Sequence, residues 1–384
     1  MIEEINKFKN NVEIEKNKKN IIKIKKERNY GIDLLRIFSM INIINLHINL
    51  FSRQLYLGYS SLKYKSIWRL EVFSYPAVNC FGLISGIVGY RKSKFSNLIY
   101  LWLTVFFYSI SISSYLFFVK SQIKFKSLFL SLFPILIKRH WYVNAYFCMY
   151  LLLPFINFGI NSVNSSFHKN SVIFFILFYS IYYVISKIVD LNNNFNFLNG
   201  GYSSMWLIIL YIIGAYFGKY IIINGQYKNF FFYLIIFLFS SFFSSELHFK
   251  LIKSKSKKNI LISYLSPTIV IQAISLVMIY SQLNIKNKFL MKIISFLTPL
   301  NFSAQLIHAR LFQTKLKIIQ ILFNWILKLK PEILFFKIYG IGIFIYFICI
   351  FIDYIRTLIF KLIKIREFSF FIEKSIPELI NKII

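Results

Sequence analysis

His47 and Arg36 are the residues in this chain best suited to chemistry. They lie eleven residues apart in the apolar stretch YGIDLLRIFSMINIINLHINLF, from Tyr30 to Phe51. A helix would set both side chains on one face, about 16 Å apart along its axis. Ionisable groups at membrane depth are costly to bury and are functional candidates by default. An imidazole can take a hydroxyl proton as general base or accept an acyl group itself, and a guanidinium can hold a phosphate. The plainer alternative is that Asp33 pairs with Arg36 one turn away while His47 hydrogen-bonds a neighbouring helix.

The helix that must position them is polar on two sides. Asp33, Arg36, Ser39 and His47 project together, and Asn42, Asn45 and Asn49 form a stripe roughly opposite. Such a helix has little face left for lipid, so the pattern predicts a place inside a bundle.

That bundle is legible in the composition. The chain has 384 residues, 57% hydrophobic and 20% aromatic, with a mean hydropathy of +0.59. Its apolar blocks are long enough to cross a bilayer. The fold class is therefore all-α, a polytopic membrane helix bundle of about ten spans. The spans are predicted at 30–51, 72–90, 98–119, 142–160, 171–188, 202–221, 229–245, 260–281, 291–312 and 333–359. Residues 1–29, with nine basic and five acidic side chains, read as a polar cytoplasmic tail rather than a signal peptide. Residues 30–360 make the membrane domain and 361–384 a C-terminal cytoplasmic tail. The segment from Leu128 to Lys138 is expected to lie at the interface. Basic residues near the termini and in the Arg91 to Lys94 turn predict both termini on the cytoplasmic side of the inner membrane. The lysines between Lys250 and Lys258 disagree, either because lysine drift blurs the bias or because one span between 229 and 281 is miscounted. The charged loops at 53–70, 120–141 and 246–258 would meet an external substrate.

The net charge of +32 does not read as nucleic-acid binding, since only nine of the 46 basic residues are arginine and no basic stripe interleaves with a soluble fold. Much of the charge is compositional, as the heavy use of Lys, Asn, Ile and Phe indicates, helped by attraction to anionic lipid headgroups. Cys80, Cys148 and Cys349 show neither metal-ligand nor disulfide spacing, so no metal is expected.

Further candidates lie along the chain. Gly82, Gly86 and Gly89 would let helices approach closely. Arg91 and Lys94 anchor a turn or hold a phosphate. Tyr142, Tyr146 and Tyr150 recur every four residues, either as an interfacial belt or, with Asn144, as part of a site. Glu71 is a possible partner of the site, and His308 is either a second imidazole of it or an interfacial residue beside Arg310.

Taken together, these segments resemble the integral-membrane acyltransferase 3 family, whose members O-acylate surface polysaccharides and related glycans. The Arg36-x10-His47 spacing carries the resemblance furthest. AVNCFGLISG (Ala77 to Gly86), WYVNAY (Trp141 to Tyr146), GYSSMWLIILYIIGAY (Gly201 to Tyr216), SPTIVIQAISL (Ser266 to Leu276), PLNFSAQLIHA (Pro299 to Ala309) and IDYIRTLIFK (Ile352 to Lys361) follow in order. The resemblance implies that His47 is catalytic, with Arg36 its partner on the cytoplasmic side. It also implies that Arg36, Arg91 and Lys94 meet the donor. Lysine at 94 keeps the family's basic spacing but cannot make a bidentate phosphate contact. Asp33, Glu71, Asn144, Tyr146 and His308 would support the site. The co-substrate would be acyl-CoA, with acetyl-CoA foremost and no bound cofactor. The acceptor would be a hydroxyl of a surface glycan or lipid-linked saccharide. Direct transfer and an acyl-histidine intermediate both remain open. A transporter or flippase for a lipid-linked sugar is the competing class, and it would not account for the ordered motifs.

Overall fold

The computed structural model describes residues 28–383 apart from 53–54, 56–60, 92, 121–122, 136–140, 190–197, 226–228, 254–259 and 315. The predicted N-terminal tail, apart from Arg28 and Asn29, lies outside the described residues. Within them every regular element is a helix. The chain opens with α1 (Tyr30–Phe51), α2 (Leu62–Ser74), α3 (Ala77–Gly89) and α4 (Phe95–Ser114). A short α5 (Phe125–Leu130) leads to α6 (Trp141–Ser162), α7 (Ser165–Ile188), α8 (Ser204–Tyr216) and α9 (Phe230–Lys253). The last five are α10 (Pro267–Ser281), α11 (Lys288–Phe312), α12 (Lys317–Leu327), α13 (Pro331–Leu362) and α14 (Ile365–Ile383).

Among the described residues, nine segments are long and apolar enough to cross a membrane. The eighth predicted span, 260–281, differs: only α10 is helical there, and its 15 residues reach about 22 Å. The buried loop before it completes the crossing. Ser266 and Thr268 donate their hydroxyls to the carbonyls of Ile260 and Leu261, and Asn79 donates to the Tyr264 carbonyl at 2.8 Å. Irregular backbone is tolerated at membrane depth when protein groups satisfy it in this way.

Contacts between helix ends fix the direction of each crossing. Asn29, just before α1, donates to the Ser281 carbonyl at the end of α10. Phe51 at the end of α1 meets Phe312 at the end of α11. Trp141 at the start of α6 packs against Tyr202 and Tyr264, which precede α8 and α10, and Ser66 of α2 donates to the Pro331 carbonyl that opens α13. Within the described residues the chain thus runs ten times between two faces, with Pro267–Ser281 and its preceding loop as one pass, and α1 starts and α13 ends at the same face, called here the near face. The opposite one is the far face.

The second span starts ten residues earlier than predicted. Most of its first part, α2, falls in the charged segment 53–70 that is expected to be a loop, with Lys63, Lys65 and Arg69. In the fold Tyr64, Ile67, Trp68 and Glu71 are buried while Lys65 and Arg69 stay exposed, the spacing of an amphipathic helix. Pro76, which has no N–H to continue the ladder, separates α2 from α3. Of the predicted interfacial piece from Leu128 to Lys138, the described helix is α5, residues 131–135 form turns, and 136–140 lie outside the described residues. Two amphipathic helices, α12 and α14, were not foreseen.

α1 packs against α2, α3, α10, α11 and α13, and 61% of its most apolar window is buried, against 22% for α7 and α9. It is a central helix, as its two polar faces predict. The glycines of α3 serve a close contact with α8. A Cβ on Gly86 would fall 2.0 Å from the Tyr211 carbonyl oxygen, so only glycine permits that approach.

Candidate active site

α1 and α11 run in the same direction and bring two histidines together. His47 Nδ1 lies 2.8 Å from His308 Nε2, and His308 Nδ1 lies 2.5 Å from the carbonyl oxygen of Ala304. A carbonyl only accepts, so His308 carries a proton on Nδ1, and in the neutral ring its Nε2 accepts from His47. The tautomer of His47 that serves this chain is protonated on Nδ1 and holds its lone pair on Nε2. That form is suited to take a proton. His308 is buried, and its ring faces Phe312 as His47 faces Phe51.

His47 lines a cavity of about 410 Å³ at the far face. Nine of its twenty lining residues are Phe, Trp or Tyr. Tyr264 lies 4.8 Å from Tyr75 and 5.0 Å from Tyr202, measured between ring centroids, and Trp141 lies 4.6 Å from Tyr202. Polar groups are few: Glu71, Gln305 and Gln313 join His47 in the lining. Asn49, two residues past His47, donates to Glu71 Oε2 at 2.9 Å and holds that carboxylate in place. Flat rings with a few directed polar groups suit a ligand with apolar faces and hydroxyl edges, as a sugar has.

Arg36 stands toward the near face, where Asp33 accepts from both Arg36 Nη1 and Arg28 Nε at 2.5 Å. Asn301 of α11 donates to the Arg36 carbonyl at 2.9 Å. The Tyr142–Tyr146–Tyr150 stripe runs along α6 with centroids 6.0 and 6.1 Å apart. Tyr142 lines the cavity, and the Tyr150 hydroxyl donates to the Lys94 carbonyl at 2.9 Å. The stripe therefore connects the cavity to the basic turn. It follows the helix axis across the bundle and does not lie in one interfacial plane.

Residues 29–362 match the acyltransferase-domain family Acyl_transf_3. The chain belongs to that acyltransferase family. Neither the curated proteins nor the solved structures compared with it give a match.

The protein is thus an acyltransferase with multiple membrane spans. Its candidate residues fall into two groups. His47, His308 and Glu71 gather at the far-face cavity. Arg36, Asp33, Arg91 and Lys94 lie toward the near face, with Tyr146 between the groups on the stripe. Asn144 is half-buried but does not line the cavity. Arg91 donates to the Tyr90 hydroxyl, and Lys94 sits over the Phe370 ring of α14. Both parts of the plainer reading of α1 are present, since Asp33 does pair with Arg36 and His47 does bond a neighbouring helix. What that reading leaves out is the cavity on which His47 opens.

Sequence reasoning missed the wall residues Tyr75, Tyr202 and Tyr264, whose only signal was a general excess of aromatics. It also missed a buried cluster on α13, where Asp353 receives Arg356 Nε at 2.6 Å and the Tyr108 hydroxyl at 2.7 Å. The Asp-x-x-Arg spacing in the closing motif was its signal. Among the described residues, no group of three His, Cys, Asp or Glu side chains is placed to hold a metal.

Proposed function

We propose that this acyltransferase moves an acyl group, acetyl foremost, from acyl-CoA at the near face to a hydroxyl of a surface or lipid-linked glycan in the far-face cavity. The single observation that carries this reading is the His47–His308–Ala304 hydrogen-bond chain opening on an aromatic cavity. His47 Nε2 takes the proton of the acceptor hydroxyl, whose oxygen attacks the thioester carbonyl. The carbon–sulfur bond breaks, and the thiolate of CoA leaves with the proton from His47 Nε2. His308 keeps the imidazole oriented and stabilises the positive charge it gains. The aromatic wall stacks the sugar face while Glu71 and Gln305 receive its remaining hydroxyls.

The donor's phosphates meet Arg36, Arg91 and Lys94, and its arm follows the tyrosine stripe toward His47. Basic side chains at the near face, including Arg28, Arg91, Lys94, Lys361, Lys364 and Arg366, support a cytoplasmic assignment for it. The localisation proposed is the inner membrane, with both ends of the chain in the cytoplasm.

The test is His47→Ala in cells, with mass spectrometry of the surface glycans. Loss of glycan acyl groups at unchanged protein level is the expected result. Unaltered acylation would refute the proposal.

A further inference from the structure

A second cavity of about 530 Å³ lies behind the site, between α11, α12 and α13. It is a groove along one face of α13, where Phe336, Gly340, Phe344, Ile348 and Ile352 recur every four residues. Its only nitrogen-bearing side chains are His308, on the wall shared with the catalytic pair, and Lys337, near the far-face end. Phe312 lines the groove, Phe51 lines the first cavity, and their rings meet at 6.3 Å. Two pairs of rings, His47 with His308 and Phe51 with Phe312, therefore separate the two spaces.

The seventeen residues from Phe336 to Ile352 extend about 24 Å along the helix. One leaflet of the hydrocarbon core is about 15 Å deep, half of the whole, so an ordinary lipid tail would end well short of the groove's inner end. Lys337 is exposed at the headgroup end, where a cation matches a phosphate, and no acidic side chain lines the groove. The groove is also left open at Gly340, where an added Cβ would meet no atom within 4 Å.

We propose that this groove holds the chain of a polyprenyl-type lipid phosphate, with the phosphate at Lys337 and the chain running past His308. Its role would be that of the membrane carrier of the acceptor saccharide, and that role rests on the function proposed above. The saccharide would then reach the first cavity over the far-face rim, without a passage between the two spaces.

The experiment uses full-length protein in nanodiscs and a diazirine-bearing polyprenyl phosphate as photoprobe. Crosslinks should map to α11, α12 and α13, and unlabelled phosphatidylglycerol should not compete. Gly340→Phe, which fills the groove, should cut labelling about tenfold. Lys337→Gln should cut it about fivefold, the worth of one lysine near a lipid phosphate. Elution profile and thermal unfolding establish that both variants are folded. Equal competition by phosphatidylglycerol would overturn the proposal, as would undiminished labelling of folded Gly340→Phe. A second copy of the chain crosslinked at the groove would also overturn it. Labelling is read without turnover, so a failure here leaves the His47 test standing, and a failure of that test leaves the groove's occupant standing.

Discussion

Asn49 of α1 donates to Glu71 of α2 at 2.9 Å, so the stripe opposite the His47 face holds a carboxyl group on the cavity wall. The break at Pro76 makes this contact possible. It lets α2 turn its buried face toward α1 while α3 packs against α8.

The contact carries a first prediction. Asn49→Ala leaves a buried carboxylate without its donor, which costs about 1–3 kcal/mol and should lower the midpoint of thermal unfolding. Glu71→Gln keeps the shape and replaces the carboxyl group with an amide. It should raise KM for the acceptor with kcat nearly kept, and steady-state kinetics with acceptor glycan measure the split. A fall in kcat alone would assign Glu71 to the chemical step instead.

His308 is a positioning residue, because it acts through His47. His308→Leu removes the acceptor for His47 Nδ1–H and should lower kcat by at least about tenfold. The fall should stop short of the roughly 10²–10⁴-fold that loss of a general base brings. His308→Gln can still accept that hydrogen bond and should recover part of the rate, an effect that loss of packing alone would not produce. Rates of radiolabel transfer from acetyl-CoA, compared at equal protein, make the measurement.

Arg91→Ala combined with Lys94→Ala should raise the apparent KM for acyl-CoA about three- to tenfold, the scale expected for two exposed ionic contacts. The KM for acceptor should not move. An unchanged donor KM would make this turn a membrane anchor and leave Arg36 to meet the donor alone.

The docking of α14 should depend on pH. The Glu373 carboxylate accepts the Phe95 N–H at 2.7 Å. The nearby Ser96 hydroxyl and the first amide N–H groups of α4, with Lys94, hold it below the usual carboxylate range. A carboxylate depressed in the folded state stabilises above its ordinary range, and the stabilisation is lost as pH falls through the depressed value. Corrected for the intrinsic pH dependence of amide exchange, protection in α14 should therefore fall on acidification while that of α1 holds. Glu373→Gln should abolish the difference.

The sequence alone determined the class, the approximate spans and the central place of α1. Hydropathy blocks and helical periodicity are local properties, readable without a partner. It also singled out Arg36 and His47, because a charge inside an apolar run stands out wherever it folds. Lysine-rich surfaces hid α2 and α14, whose apolar faces show only when projected on a helix and matched to a neighbour. The eighth span misled for the converse reason: residues 260–266 are apolar enough for a helix, but side-chain contacts to their carbonyls hold them as a loop.

Only the tertiary structure decided which groups act together. His47 and His308 are 261 residues apart, and nothing in the spacing of either selects the other. Their contact follows from α1 and α11 running in the same direction with their ends meeting at Phe51 and Phe312. The same packing chose the tautomer: the Ala304 carbonyl can only accept, so the proton pattern follows along the chain to His47. The cavity wall likewise comes from residues before α6, α8 and α10, or at their starts, which converge because those helices all start at the far face. Sequence patterns can name reactive groups, but hydrogen bonds between distant segments assign their roles, because those bonds exist only once the helices have packed.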